Sequence, residues 1–170
     1  MSKDNGFHTV RGYQLLNQEN KLLTSGMEDY LEMIYRNMET EGYIRTNTLS
    51  KLLNVRPSSA TKMVQKLAKL GLVDYRKYDI IILTEAGKKY GKFLLERHKV
   101  IERFLRNIGI TENILAETEL IEHNIGLNTM KNIDMLNMFF EKNPDILEKF
   151  KRFIEARQDS EKDGNSGKTD

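Results

Sequence analysis

Only two prolines occur in the 170 residues, Pro57 and Pro144. Proline removes a backbone donor and collides with the preceding turn, so a chain this poor in it can run long helices. Helical apolar spacing dominates from Met27 onward. Tyr30, Leu31, Ile34, Tyr35 and Met38 define a first helix that Gly42 ends. Thr46 or Thr48 can cap a short helix carrying Leu49, Leu52 and Leu53. Asn54-Val55-Arg56 then forms a tight connection, and Pro57 opens a third helix (PSSATKMVQKLAKL) that stops at Gly71. Two β-prone runs, 72–75 and 80–83, flank Arg76-Lys77-Tyr78-Asp79 and predict a hairpin. Thr84 caps a long amphipathic helix to about Asn107, followed by helices over 111–124, 127–142 and 144–157. The fold expected is mainly α.

Composition narrows the function. Hydrophobic residues make up 39% and charged residues 31%, which suits a folded core. The absence of cysteine excludes disulfides, thiolate zinc sites, iron–sulfur clusters and a cysteine nucleophile. No stretch approaches the ~20 apolar residues of a membrane span, and the N-terminus lacks the apolar run of a signal peptide, so a soluble, cytoplasmic protein is expected. The net charge of +2 conceals a division. Between Tyr43 and Tyr78, Arg45, Lys51, Arg56, Lys62, Lys66, Lys69, Arg76 and Lys77 face Asp74 alone. Acids dominate from Asn107 to Phe150.

The order helix, short helix, tight turn, helix, hairpin is that of a winged helix-turn-helix, whose second motif helix fits the major groove. Arg56 and Pro57 stand at the entrance of that helix. Ser58, Ser59 and Thr61 in its first turn suit base edges or phosphates, and Lys62, Gln65 and Lys66 follow on one side. Ala60, Met63, Val64, Leu67 and Leu70 form its buried face, while Arg76, Lys77 and Tyr78 at the hairpin tip would rest on the DNA backbone or in the minor groove. Lysine runs are often no more than a solvated face. The hairpin directly after the helix, with DNA-compatible residues at its tip, favours the DNA reading.

A second constellation concerns metal. Asp29 and Glu32 lie three residues apart on the first helix, Glu119, Glu122 and His123 share a face of a later one, and His98 lies on the long helix between. Each alone has an ordinary explanation as a solvated acid or a packed imidazole. Should these helices meet, the carboxylates would repel strongly, because two charges ~4 Å apart at an effective dielectric of about 20 interact by about 4 kcal/mol. Two divalent cations would balance them. Oxygen-rich ligation with two imidazoles and no sulfur suits manganese(II) or iron(II) and disfavours copper(I) and structural zinc.

Met27–Tyr35 (MEDYLEMIY), Pro57–Leu67 (PSSATKMVQKL), the helix start from Leu83-Thr84 to Gly87-Lys88-Lys89, and Ile121-Glu122-His123 together closely resemble the manganese transport regulators, two-domain members of the diphtheria toxin repressor family. The resemblance spans roughly Gly26 to Phe153. It implies a homodimer of winged helix-turn-helix domains joined through helical dimerisation domains, double-stranded operator DNA as target, and Mn(II) as co-repressor with two ions per subunit. It places Asp29, Glu32, His98, Glu119, Glu122 and His123 on the family's six ligand positions, with Glu32 and Glu119 as bridges. Iron-responsive relatives carry methionine and cysteine where this chain has Asp29 and Glu122, which favours manganese. The extension before Gly26 is longer than usual, Asn124 replaces a histidine found in some relatives, and the SH3-like third domain of the iron-type relatives is not expected.

The domains expected are a flexible extension over 1–25, a winged helix-turn-helix domain over 26–90, a helical metal-binding and dimerisation domain over 91–157, and a disordered, wholly polar tail over 158–170. The function expected is a manganese-responsive repressor of metal-uptake genes. A winged-helix regulator answering to iron or to a non-metal signal is the alternative. A dinuclear enzyme is disfavoured, because no plausible nucleophile, oxyanion donor or substrate pocket accompanies the acids.

Overall fold

The computed structural model describes residues 23–165, with the backbone alone for 39–41 and 158–165. The extension expected over 1–25 therefore lies largely outside the described residues. Its last residue, Ser25, already belongs to helix α1 (Ser25–Glu41), capped by the Thr24 hydroxyl, which accepts from Met27 N. The described chain is mainly helical and divides into two compact units, up to Glu96 and from Arg97. This division falls inside a helix and beyond the 90/91 boundary expected, because the helix's first half is packed into the first unit.

In that first unit α1 buries Met27, Tyr30, Leu31 and Ile34 at helical spacing, and Gly42 ends it in the left-handed region. Strand β1 (Ile44–Arg45) and helix α2 (Thr46–Leu52) follow. Neither threonine caps α2. Thr46 is buried in its first turn, its hydroxyl 3.4 Å from the Tyr75 hydroxyl and 3.5 Å from the Asp79 carbonyl, while Arg45 takes the cap position with no side-chain bond. Asn54, at φ +51°, makes the tight turn into α3 (Pro57–Lys69). Helix α3 buries Ala60, Val64 and Leu67 and leaves Met63 and Leu70 half-buried.

The expected hairpin is β2 (Val73–Arg76) and β3 (Ile80–Leu83), paired antiparallel with Val73 opposite Leu83 and Arg76 opposite Ile80. β1 adds a short third strand against β3, so the sheet order is β1-β3-β2. Two residues are too few to show an alternation in the sequence. Ile81 and Leu83 point into the core with Leu31, Ile34, Leu49, Val64 and Leu67.

Helix α4 (Glu85–Asn107) starts as expected at Thr84, whose hydroxyl accepts from Gly87 N and donates to the Gly71 carbonyl at 2.7 Å. The Lys88 ammonium, hydrogen-bonded to Glu85, holds that first-turn carboxyl below its ordinary range. Two glycines let α4 pack closely. A Cβ on Gly87 would stand 1.9 Å from the Leu72 carbonyl oxygen, and one on Gly91 would stand 2.7 Å from Tyr35 Cβ. Tyr90 donates to Glu28 on α1 at 2.9 Å.

The second unit contains the rest of α4 with α5 (Ile114–Glu122), α6 (Leu127–Lys142) and α7 (Pro144–Asn165). Helix α7 runs eight residues, 158–165, into the tail expected to be disordered. Lengthening an existing helix needs no new nucleus, and nothing before Gly164 breaks it. Asn137, fully buried on α6, donates to the Val100 carbonyl at 2.9 Å and accepts from Asn107 at 3.0 Å. Arg103 pairs with Asp134 and Glu141 on the same side, so polar contacts set the register of α6 on α4. Phe140 stacks on Phe150 of α7.

Close packing at Gly87 is testable by thermal melts. Gly87→Ala forces a methyl against a backbone oxygen and should cost about 1–3 kcal/mol, lowering Tm by several degrees. Gly26→Ala, whose Cβ meets only Met63 Cε at 3.9 Å, should leave Tm unchanged or raise it.

Candidate metal centre and nucleic-acid interface

The residues expected to face DNA are displayed on one motif. Arg56, Pro57, Ser58, Ser59, Lys62, Gln65 and Lys66 are all exposed at and along α3, opposite its buried stripe. Thr61 is only half-buried and donates its hydroxyl to the Pro57 carbonyl at 3.0 Å, so its hydrogen is spent within the helix. At the hairpin tip Arg76, Lys77 and Tyr78 are exposed, Tyr78 at 82%. Arg76 is bound to Asp74 at 2.7 Å, leaving Lys77 as the tip's less encumbered cation.

Tyr78 and Asp79 both adopt left-handed backbone, at φ +64° and +59°. Such a conformation costs roughly 1–2 kcal/mol per non-glycine residue. It is held by Arg45, which donates to the Tyr78 carbonyl at 3.2 Å, and by the Tyr75 hydroxyl, which donates to Asp79 at 2.7 Å. Arg45 therefore braces the tip, a role that its place among the basic residues does not reveal.

The acidic and histidine residues expected as ligands lie on three helices. In the first unit α1 carries Asp29, exposed, and Glu32, buried and paired with Arg36 one turn on. In the second unit His98 on α4 is 5% exposed and Glu122, the last residue of α5, is 2% exposed. His98 Nδ1 lies 3.2 Å from Glu122 Oε2, and His123 Nε2 lies 3.8 Å from Glu122 Oε1. His98 and His123 thus approach Glu122 at different oxygens. Glu119, one turn earlier on α5, is exposed.

Glu122 Oε2 is buried and, although close to His98, receives no well-aligned hydrogen bond. Isolated buried carboxylates are costly unless paired, protonated or bound to a cation. One carboxylate with two imidazoles, no sulfur and an oxygen lacking an aligned donor fits a divalent transition metal. The structure adds a residue that the sequence did not single out. Arg97, next to His98, is 5% exposed, and its Nη2 lies 3.3 Å from His123 Nδ1. No spacing signal distinguishes it from the solvated arginines along the same helix.

Comparison with known proteins agrees with both halves. Residues 22–80 match the iron dependent repressor N-terminal DNA binding domain, and residues 84–151 match the iron dependent repressor metal binding and dimerisation domain. The chain is 45% identical over 127 residues to the HTH-type transcriptional regulator MntR of Lysinibacillus sphaericus, covering 74% of this chain and 91% of the relative. It is 41% identical over 145 residues to the MntR of Geobacillus kaustophilus, covering 85% and 98%. A solved manganese-dependent transcriptional repressor in complex with manganese superposes with a TM-score of 0.60 at 30% identity, covering 66% of this chain and 53% of that longer one. With both family domains matched in order and its curated relatives aligned over nearly their full length, the chain belongs to the iron dependent repressor family of transcriptional regulators, alongside MntR.

Proposed function

We propose that the protein is a manganese-responsive, homodimeric repressor that binds operator DNA upstream of metal-uptake genes, with Mn(II) as co-repressor. The observation that carries this reading is the buried Glu122 carboxylate set between His98 and His123, in a chain whose first unit presents an exposed basic helix and wing. The names of its relatives supply the metal and the regulatory sense: the MntR proteins are transcriptional regulators, and one solved neighbour is a manganese-dependent repressor. No catalytic role is assigned.

The proposed ligands are Asp29, Glu32, His98, Glu119, Glu122 and His123, holding two ions per subunit. A bound divalent cation supplies the positive charge that offsets these carboxylates. The chain's own contribution is to present oxygen and imidazole donors from α1, α4 and α5. Two reading heads must match half-sites about one helical turn, or a multiple, apart. Lys62 and Lys66 are proposed to neutralise phosphates, and Ser58, Ser59 and Gln65 to face base edges. Arg76, Lys77 and Tyr78 are proposed to rest on the DNA backbone or in the minor groove.

Exposed Leu115, Leu120, Met135 and Phe139 on α5 and α6 suit the dimer contact, because apolar area of this kind is favoured where a partner covers it.

Fluorescence anisotropy with a duplex selected from a random pool by the manganese-loaded protein tests the whole reading. At one salt concentration, manganese should raise DNA affinity by at least about tenfold over the chelator-treated protein, a coupling of about 1.4 kcal/mol. Equal affinity in the two states would refute it, and a larger response to iron would reassign the metal. Calorimetry should give two manganese sites per subunit, with Glu122→Gln weakening binding more than tenfold. Lys62→Ala should weaken binding to all duplexes alike and reduce the slope of log affinity against log salt by about one.

A further inference from the structure

Arg97 is a buried cation that the ligand set does not use. Its guanidinium stays protonated and offers only donors. At 3.3 Å from His123 Nδ1 it therefore meets that nitrogen's lone pair. A neutral imidazole has one such lone pair, so the other nitrogen, Nε2, carries the proton. That places an N–H on the side of the ring facing Glu122 Oε1, 3.8 Å away, where it is electrostatically favourable. The three side chains thus form one polarised series, Arg97 to His123 to Glu122.

A metal bond to His123 needs the same lone pair. Ligation through Nδ1 would put the ion where the guanidinium stands. Ligation through Nε2 would move the proton to Nδ1 and set two donors against each other. By either route the Arg97–His123 contact and a His123–metal bond exclude one another, and a guanidinium beside a dication adds repulsion.

We infer that Arg97 is the resident cation of the metal-free state, holding His123 until a metal displaces it and thereby setting the metal concentration at which the protein responds. This rests on the metal reading proposed above and adds a positioning residue to it. The cost of displacing Arg97 is subtracted from the affinity of the ion, so removing the guanidinium should tighten binding, the opposite of what loss of a ligand or of a merely structural arginine would do.

The test is manganese calorimetry on the full-length chain as wild type, Arg97→Met, Arg97→Lys and Glu122→Gln, with circular dichroism on each. Arg97→Met should bind roughly tenfold tighter or more, Arg97→Lys should stay nearer wild type, and Glu122→Gln should bind more weakly. A folded Arg97→Met with unchanged or weaker affinity overturns the role of Arg97, as does equal tightening in Arg97→Lys. Wild type and Glu122→Gln binding alike would instead remove the metal site itself, and this inference with it. Should Arg97→Met fail to fold, side-chain proton–nitrogen correlation spectra of the metal-free wild type decide the matter. His123 in the Nε2–H form supports the inference, and the Nδ1–H form overturns it.

Discussion

A carboxylate withdrawn from water has to be met by positive charge or by donated hydrogens, and much of the second unit is arranged around one such group, Glu122. Helix α5 is short and ends on it, with His123 as the following cap residue. Helix α4 brings His98 against it from the other side. Thr118, one turn earlier and also fully buried, returns its hydroxyl to the Ile114 carbonyl and asks nothing of its surroundings. Glu122 is different, because one of its oxygens is buried without an aligned donor. Buried polar atoms left in this way are uncommon in folded proteins and reward a search for what completes them. Two imidazoles at its sides make a cation the natural complement.

The first unit follows the opposite logic. Most of its apolar side chains are covered, Leu52 and Tyr78 excepted, and most of its charged ones, though not Glu32, lie outward on a backbone braced at its bends. Asn54 turns the chain between α2 and α3, and Gly71 turns it again into the hairpin. The wing tip keeps two left-handed residues in place through Arg45, Thr46 and Tyr75. A tip fixed in this way presents Lys77 and Tyr78 with little conformational entropy left to lose on binding. Gly87 and Gly91 let α4 pack against the Leu72 backbone and the Tyr35 side chain. Larger residues there would hold the helix away.

The contrast between the units also appears on their surfaces. Leu115, Leu120, Met135, Phe139 and Phe153 are each more than two-fifths exposed, all in the second unit. All of these but Phe153 belong to the region that matches a metal binding and dimerisation domain, and a second subunit is the cover proposed for them. Asn137 and the Arg103 pairs, in turn, specify how α6 lies on α4 beneath that surface.

Much of this was legible in the chain. Apolar spacing located α1, α3, α4 and α6, while Gly42, Gly71 and Thr84 mark boundaries through short-range hydrogen bonds and backbone freedom. Donor types were legible too, since the absence of cysteine and the presence of Glu-x-x-Glu-His are facts of composition and order. Strand β1 was not, because two residues acquire their meaning only from the partner strand. The extension of α7 was missed because polar residues can continue a helix without burying anything. By itself the sequence determined the helices, the turns and the kinds of ligand available, all of which are set by residues a few positions apart. Only the tertiary structure decided that Glu122 is buried while Glu119 is exposed, and that Arg97 meets His123. Burial and charge contact depend on neighbours brought from far along the chain, and no local pattern encodes them.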